Sequence, residues 1–133
     1  MKTNRHQALL LTCAFACAAL PAHAADRMRA GQWDGTWTGA GRTRATSNCI
    51  SQADADAMNG DVNSVRSYLQ KIIPPEICKV TDIKVNGGQI IYTSVCNGGK
   101  QNVITTNYHG ESFESVDTSG AKSEAKRVGA CKS

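Results

Sequence analysis

The sequence is poor in the residues from which active sites and nucleic-acid interfaces are usually built. Only one of its three histidines, His109, lies beyond residue 24. It has no Cys-x-x-Cys pair of the kind that binds zinc. The fifteen Lys and Arg, which include Lys2 and Arg5, nearly balance eleven Asp and Glu and do not cluster. These absences disfavour a metal-binding domain and a nucleic-acid-binding protein, and we expect no cofactor.

Long apolar runs are also missing. The run from Ala8 to Leu20 is shorter than the roughly 20 residues that span a membrane. It follows a basic start and precedes Ala22-His23-Ala24, which has small residues where a signal peptidase reads them. We therefore predict a secretory signal peptide over residues 1–24, cleavage after Ala24, and one domain over residues 25–133 in the periplasm or outside the cell. Lipid attachment at Cys17 is the alternative, although the preceding Ala-Phe-Ala fits it poorly.

Aromatic residues make up only 5% of the chain, so a small core needs other support. An even number of cysteines in a short exported domain predicts two disulfides. These cysteines are Cys49, Cys78, Cys96 and Cys131. Three pairings are possible, and the chain-entropy estimate for a short and a long loop is roughly 3 and 4.5 kcal/mol.

A β-hairpin is predicted around Asn86-Gly87-Gly88, which β-prone runs flank on both sides. If these three residues form the loop, Val85 lies opposite Gln89, and counting outward places Cys78 opposite Cys96. Directly opposed side chains on antiparallel strands are close enough for a disulfide. The register therefore favours Cys78–Cys96, which leaves Cys49–Cys131.

Helical signals are confined to the residues between Cys49 and Pro74-Pro75. Ser51 can cap a helix that Asn59-Gly60 stops or interrupts, and Asp61 can cap a second stretch. An apolar stripe at helical spacing is expected to face the core. Its members are Val62, Val65, Leu69 and Ile72, with Tyr68 at the edge.

Strand-like runs occupy most of the remaining chain. Trp33, Gly35, Trp37 and Gly39 would share one face of a strand, although Asp34-Gly35 is also a turn signal. Residues 39–48 are interpreted as the end of that strand followed by a loop. After the hairpin, further strands are expected within 101–108, 111–117 and 123–131. The predicted class is α+β: a twisted antiparallel β-sheet meander with one helical segment packed on it.

Two groups of side chains are candidates for ligand binding. Trp33 and Trp37 could stack on sugars or apolar ligands, or they could fill the core. Arg42 and Arg44, with Arg27 and Arg29 upstream, could bind anionic lipid or phosphate, or could form a solvated face.

Two further groups contain the residue types of catalytic or metal sites. His109 has Glu111, Ser112 and Glu114 near it in sequence, but a turn histidine is the simpler interpretation. Asp54, Asp56 and Asp61 faintly resemble a calcium loop without its bidentate Glu, and helix capping explains them equally well.

The whole predicted mature chain resembles a bacterial export family, domain of unknown function 3617. Gly31-Gln32-Trp33 is similar to the family's Gly-x-Trp opening, and Cys49-Ile50-Ser51 with Asp54 to its helix start. Cys78 and Cys96 fall where the family has a Cys-flanked hairpin. Val128-Gly129-Ala130-Cys131, after Lys126 and Arg127, is similar to its closing Gly-x-Cys. The resemblance implies a periplasmic or secreted disulfide-bonded domain and no particular activity. Between Trp37 and Cys49 the chain departs from many members.

We therefore expect a non-enzymatic, monomeric binding protein of the cell envelope. It would hold a small ligand on the concave side of the sheet, or bind another protein. The alternative is an inhibitor of an envelope hydrolase of the lysozyme type, which would insert a loop such as Thr118 to Lys122. A hydrolase using His109 is a remote third hypothesis.

Overall fold

The structure is a computed structural model that describes residues 26–132. The predicted signal peptide therefore lies outside the described residues. Nine helices and strands follow one another along this part of the chain. They are β1 Gly31–Gly39, β2 Arg42–Ile50, α1 Gln52–Asn59, α2 Val62–Ile72, β3 Cys78–Asn86, β4 Gln89–Cys96, β5 Gln101–Tyr108, β6 Ser112–Asp117 and β7 Lys122–Gly129.

The strands form one seven-stranded sheet in the order β2-β1-β7-β6-β5-β4-β3. All its neighbouring strands are antiparallel. Strands β3 to β7 form a meander, and the β1–β2 hairpin adds to β7. The two helices connect one edge strand, β2, to the other, β3. The predicted antiparallel meander with a helical segment is confirmed.

Polar side chains start both helices as predicted. The Ser51 hydroxyl accepts a hydrogen bond from the Asp54 N–H at 3.1 Å, and the Asp61 carboxylate accepts one from the Ser64 N–H at 2.9 Å. Each cap satisfies a backbone donor that has no partner within the helix. Gly60 separates α1 from α2, so the helical segment consists of two short helices with the break where Asn59-Gly60 predicts it.

The central hairpin forms, but its loop is shorter than predicted. Gly87 and Gly88 make a two-residue turn, so Val85 pairs with Ile90 and not with Gln89. A bulge between Thr81 and Lys84 then inserts one extra residue and shifts the register. Asp82 at this bulge has φ 52°. The two departures cancel, and Cys78 lies opposite Cys96 as predicted.

Both predicted disulfides are present. Cys78–Cys96 closes the mouth of the β3–β4 hairpin, and Cys49–Cys131 joins the end of β2 to the residues after β7. The second bond connects positions 82 residues apart in sequence, so it links the early part of the chain to its end.

The prediction of a loop over residues 39–48 is wrong. A tight turn at Ala40-Gly41 (φ 49° and 71°) leads directly into the nine-residue strand β2, which pairs with β1 along its full length. This strand is an edge and is mostly exposed. It therefore lacks the apolar alternation that identifies a half-buried strand.

The two helices pack on one face of the sheet, which we call the inner face. Val65 and Leu69 of α2 are buried in one cluster with Met58 of α1 and with Trp33 and Ile90 of the sheet. The other members of the predicted stripe do not join this cluster: Val62 is 36% exposed and Ile72 is 52% exposed. The helix thus buries a narrower stripe than its sequence pattern indicates.

Hydrogen bonds anchor residues 27 and 28 to the rest of the domain. The Asn59 side chain accepts hydrogen bonds from the Arg27 and Met28 N–H groups at 2.7 and 3.0 Å and donates to the Met28 carbonyl at 2.8 Å. The Arg27 side chain, in a residue only 5% exposed, donates to the carbonyls of Met58, Gly60 and Gly87. It thereby links the end of α1 to the β3–β4 turn.

Candidate functional site

All aromatic side chains within residues 26–132 lie on, or face, the inner face of the sheet. Directly paired residues of antiparallel strands point to the same side, and the strand registers place five of the six aromatics there. Tyr68 of α2 faces the same space from the helix side. The set is Trp33, Trp37, Tyr68, Tyr92, Tyr108 and Phe113.

The helices cover only part of this face and leave a groove, which we call the inner groove. It has two lobes that share Thr46, Asn48, Tyr108 and Phe113. The covered lobe, of about 360 Å³, lies between α2 and the sheet. The open lobe, of about 460 Å³, continues beyond the helix to Trp37.

Apolar and aromatic groups dominate the covered lobe. Trp33 and Phe113 stack with ring centroids 6.0 Å apart, and Phe113 lies 5.6 Å from Tyr108. Leu69 and Ile72 of α2 line the opposite side. These rings favour an apolar or planar ligand, because offset and tilted aromatic contacts stabilise such pairs by about 0.5–1.5 kcal/mol beyond the buried area.

The open lobe is more polar. The Arg44 guanidinium carbon lies 5.7 Å from the centroid of the Trp37 ring, within the range of a cation–π contact. Starting from Arg44 and Trp37, a row of directly paired residues, one from each strand, crosses the inner face of the sheet. It consists of Arg44, Trp37, Ser123, Ser115, Thr106, Ile90 and Val85.

Glycines on β1 leave space at the floor of the groove. A Cβ on Gly35 would lie 2.0 Å from the Glu124 carbonyl oxygen and 2.6 Å from the Ala125 Cβ. A Cβ on Gly39 would lie 2.5 Å from the Trp37 ring. Glycine at 35 permits the close approach of β1 and β7, and glycine at 39 leaves room for the indole of Trp37.

Burial raises the pKa of the three tyrosines that face this region. The pKa of Tyr108 is raised the most, and the phenols of Tyr92 and Tyr68 raise it further. Burial likewise raises the pKa of Tyr68 and of Tyr92. The phenol groups therefore stay neutral at physiological pH and add hydrogen-bonding capacity without charge.

The predicted binding residues have different environments. Trp33 is 2% exposed and belongs to the core, while Trp37 is only partly buried and lines the open lobe. Arg44 lines the same lobe, and Arg42 is exposed one row farther along β2. The structure thus brings Trp37 and Arg44 together.

The upstream arginines do not form the expected anionic-ligand surface with them. Arg27 is buried, and burial lowers the pKa of its guanidinium. Arg29 instead contacts the carboxylates of Asp26 and Glu111 at 3.4 Å each. Arg27 does not belong to such a surface, because its side chain donates hydrogen bonds to backbone carbonyls.

The acidic residues near the helix starts form ion pairs and hydrogen bonds with the helices themselves. The Lys71 ammonium lies 2.6 Å from the Asp54 carboxylate and lowers the pKa of that carboxylate. A hydrogen bond from the Ser64 N–H lowers the pKa of Asp61. Asp56 accepts a hydrogen bond from the Gln52 amide at 2.8 Å. Within the described part of the chain, no three His, Cys, Asp or Glu side chains form a potential metal-binding group.

His109 lies at the surface beside Glu114, with Nε2 2.9 Å from the nearer carboxylate oxygen. Its contact with Ser112 is a hydrogen bond from the His109 N–H to the Ser112 carbonyl at 2.9 Å, not a contact between side chains. A histidine in this arrangement is oriented by a carboxylate but does not contact the Ser112 hydroxyl.

The loop from Thr118 to Lys122 is a compact turn. One oxygen of Asp117 accepts hydrogen bonds from the N–H groups of Ser119 and Ala121 at 2.8 and 3.1 Å. Gly120 provides the φ of 88°. Residues 118–121 are therefore held close to the sheet, not extended from it.

The tyrosines were not among the residues predicted to form the site. The available signal was the strand alternation that places Tyr108 opposite Phe113, but it required the correct register of β5 against β6. Among residues 26–132, no helix is long and apolar enough to cross a membrane.

Comparison with known proteins identifies a family. No curated protein and no solved structure matches the chain. Residues 28–131 match a family model described as "Protein of unknown function (DUF3617)", which spans all the strands and helices and both disulfides. The chain therefore belongs to the DUF3617 family.

Proposed function

We propose that this protein is an exported, non-enzymatic binding protein of the cell envelope that holds a small, largely apolar molecule in the inner groove. The observation that carries the proposal is the convergence of the six described aromatic side chains on one face where a groove stays open. A small domain with few aromatics normally buries them to stabilise its core. Here Trp37 and parts of Tyr68 and Tyr108 remain available to a ligand.

Export is part of the proposal, and the two disulfides support it. Such bonds persist in oxidising compartments and are rare in the cytosol of most organisms. Mass spectrometry of protein recovered from outside the cytoplasm should give residues 25–133 less the four hydrogens lost in the two disulfides. A mass that includes residues 1–24, or free thiols at these cysteines, would contradict export.

The outer face offers a weaker alternative site. A depression of about 450 Å³ there is bordered by Asp34, Thr36, Glu114, Glu124 and Lys126. Charged side chains of both signs and threonines are typical of a solvated sheet face, whereas ligand sites are mostly apolar with a few placed polar groups. The inner groove fits that description better.

A neutral fluorescent probe can test the groove directly. N-phenyl-1-naphthylamine (NPN) is apolar and aromatic, and its emission rises when it leaves water. We expect it to bind the oxidised protein with a Kd on the order of micromolar. Thr46→Trp should abolish this binding, because a large side chain there would lie over Gly35 and fill the junction of the two lobes.

Thr43→Trp is the matched control. Thr43 lies on the same strand but on the opposite face, and it is exposed. NPN binding should be unchanged in this variant. Equal binding by Thr46→Trp and the wild type would show that the probe is held elsewhere, and no binding by the folded wild type would overturn the proposed function. Native mass spectrometry of gently purified protein would then identify any retained molecule.

A further inference from the structure

The geometry points to a more specific ligand class: an anionic amphiphile, with its acidic group at Arg44 in the open lobe and its apolar body in the covered lobe. This inference rests on the proposed function, because it assigns the polarity of the ligand in the same groove. The observation that supports it is that the open lobe contains more polar groups than the covered lobe.

Arg44 is the cation available at the open lobe. The ion pairs formed within residues 26–132 do not include it, and its guanidinium is held near the Trp37 ring, 5.7 Å from the centroid. Arginine presents a planar fork of donors that matches a carboxylate, sulfonate or phosphate. A guanidinium over an indole therefore forms a suitable anchor for an acidic group.

Two cations at the covered end of the groove are already neutralised. Lys71, at the covered end, lies 2.6 Å from Asp54. Arg127, the register partner of Trp33 on β7, donates to the Ala30 carbonyl at 2.6 Å and approaches Glu111 at 3.8 Å. An acidic group entering the covered lobe would have to compete with these partners, whereas at Arg44 it would not.

Hydroxyl groups extend the polar character of the open lobe. Ser123 and Ser115 follow Trp37 in the row of paired residues, and Thr106 donates to the Ser115 oxygen at 2.9 Å. Ser123, next to Trp37, can donate to a second oxygen of an acidic group. The covered lobe begins one row away, at Phe113 and Tyr108.

The neighbouring carboxylates do not oppose an anion at this position. Glu124 borders the open lobe, but its register partners are Thr36 and Glu114, which places its side chain on the outer face. Asp117 is on the inner face three strands from β2, and it is occupied by the β6–β7 turn. At about 4.8 Å per strand, β6 and β2 are separated by roughly 14 Å across the sheet.

Two probes with the same ring system separate the acidic group from the apolar body. NPN is neutral, and 8-anilino-1-naphthalenesulfonate carries a sulfonate on the same skeleton. We expect the sulfonate probe to bind the wild type at least about fivefold more tightly than NPN, as a charge-assisted hydrogen bond would provide. Arg44→Gln should remove this preference and leave NPN binding within about twofold of the wild type.

Lys126→Gln and Lys71→Gln are the controls with the same change in net charge. Lys126 is exposed on the outer face, and Lys71 tests the covered end of the groove. Both variants should keep the preference for the sulfonate. A preference that survives Arg44→Gln, or that is lost in either lysine variant, would overturn the inference.

The two proposals fail in different ways. NPN binding without any preference for the sulfonate would remove this inference alone. Failure of both probes to bind the folded wild type would remove the proposed function with it.

Discussion

Trp33 and Trp37 are the same residue type on the same strand and the same face, yet they lie in opposite environments. Trp33 is 2% exposed, stacks on Phe113 and donates its indole N–H to the Arg29 carbonyl at 2.9 Å. Trp37 lies partly exposed over Gly39 and beside Arg44. The difference is set by where the helices end above the sheet, not by the strand that carries both residues.

This comparison separates the inner face into a part that stabilises the fold and a part free to bind. In the covered part, the sheet, α1 and α2 form one apolar cluster. In the open part, the same sheet presents an indole, a guanidinium and hydroxyl groups to solvent. Substitutions at the covered end should therefore lower the free energy of unfolding, and substitutions at the open end should mainly weaken binding.

The largest expected effect is that of Trp33→Ala. It removes a buried indole together with its stacking on Phe113 and its hydrogen bond, and we expect the free energy of unfolding to fall by about 3–5 kcal/mol. Urea unfolding followed by circular dichroism would measure it. A loss below about 1 kcal/mol would contradict the assignment of Trp33 to the core.

Arg27→Met should have the next largest effect. It leaves the carbonyls of Met58, Gly60 and Gly87 without their buried donor, which we expect to cost about 2–4 kcal/mol of unfolding free energy. Arg29→Met is the matched control, since Arg29 makes only exposed ion pairs and should cost about 0–1 kcal/mol. Equal losses in the two variants would show that the buried contacts are unimportant.

Alkaline pH should destabilise the covered region through its tyrosines. The folded pKa of Tyr108 is raised, so its contribution to stability is fully present below the unfolded pKa of about 10 and is lost as pH rises through the folded value. The free energy of unfolding should therefore fall above about pH 10. Tyr108→Phe should make this fall shallower. Parallel pH profiles for the two proteins would argue against a buried phenol at this site.

The smallest effect on stability is expected for Trp37→Ala. Its side chain is only partly buried, so the free energy of unfolding should change by less than about 1 kcal/mol. Binding of the naphthalenesulfonate probe should weaken by roughly tenfold, because the ring that supports Arg44 is lost. A large loss of stability with unchanged binding would reverse the roles assigned to the two tryptophans.

Much of the fold was predictable because its signals are local. Ser51 and Asp61 cap the helices through contacts three residues away, and the paired glycines mark the central turn. The disulfide Cys78–Cys96 was predicted correctly, although by a three-residue loop without a bulge. The actual two-residue turn and bulge give the same pairing, so the conclusion survived an incorrect detail.

The groove was only partly predictable. Trp37 and Arg44 were identified as candidates from their residue types, but their contact requires β2 to be a strand paired with β1. That strand was missed because an exposed edge strand needs little apolar alternation. Arg27 was misplaced for a related reason: its burial depends on the end of α1 and on a turn 60 residues away.

The sequence by itself determined the even cysteine count, the helix caps, the turn glycines and the alternation that places Trp33 and Trp37 on one face. Only the tertiary structure decided which of these tryptophans became core and which lines a groove. That outcome depends on the length and position of α1 and α2 over a seven-stranded sheet. Burial is a property of the assembled surfaces, whereas capping and strand alternation are properties of neighbouring residues.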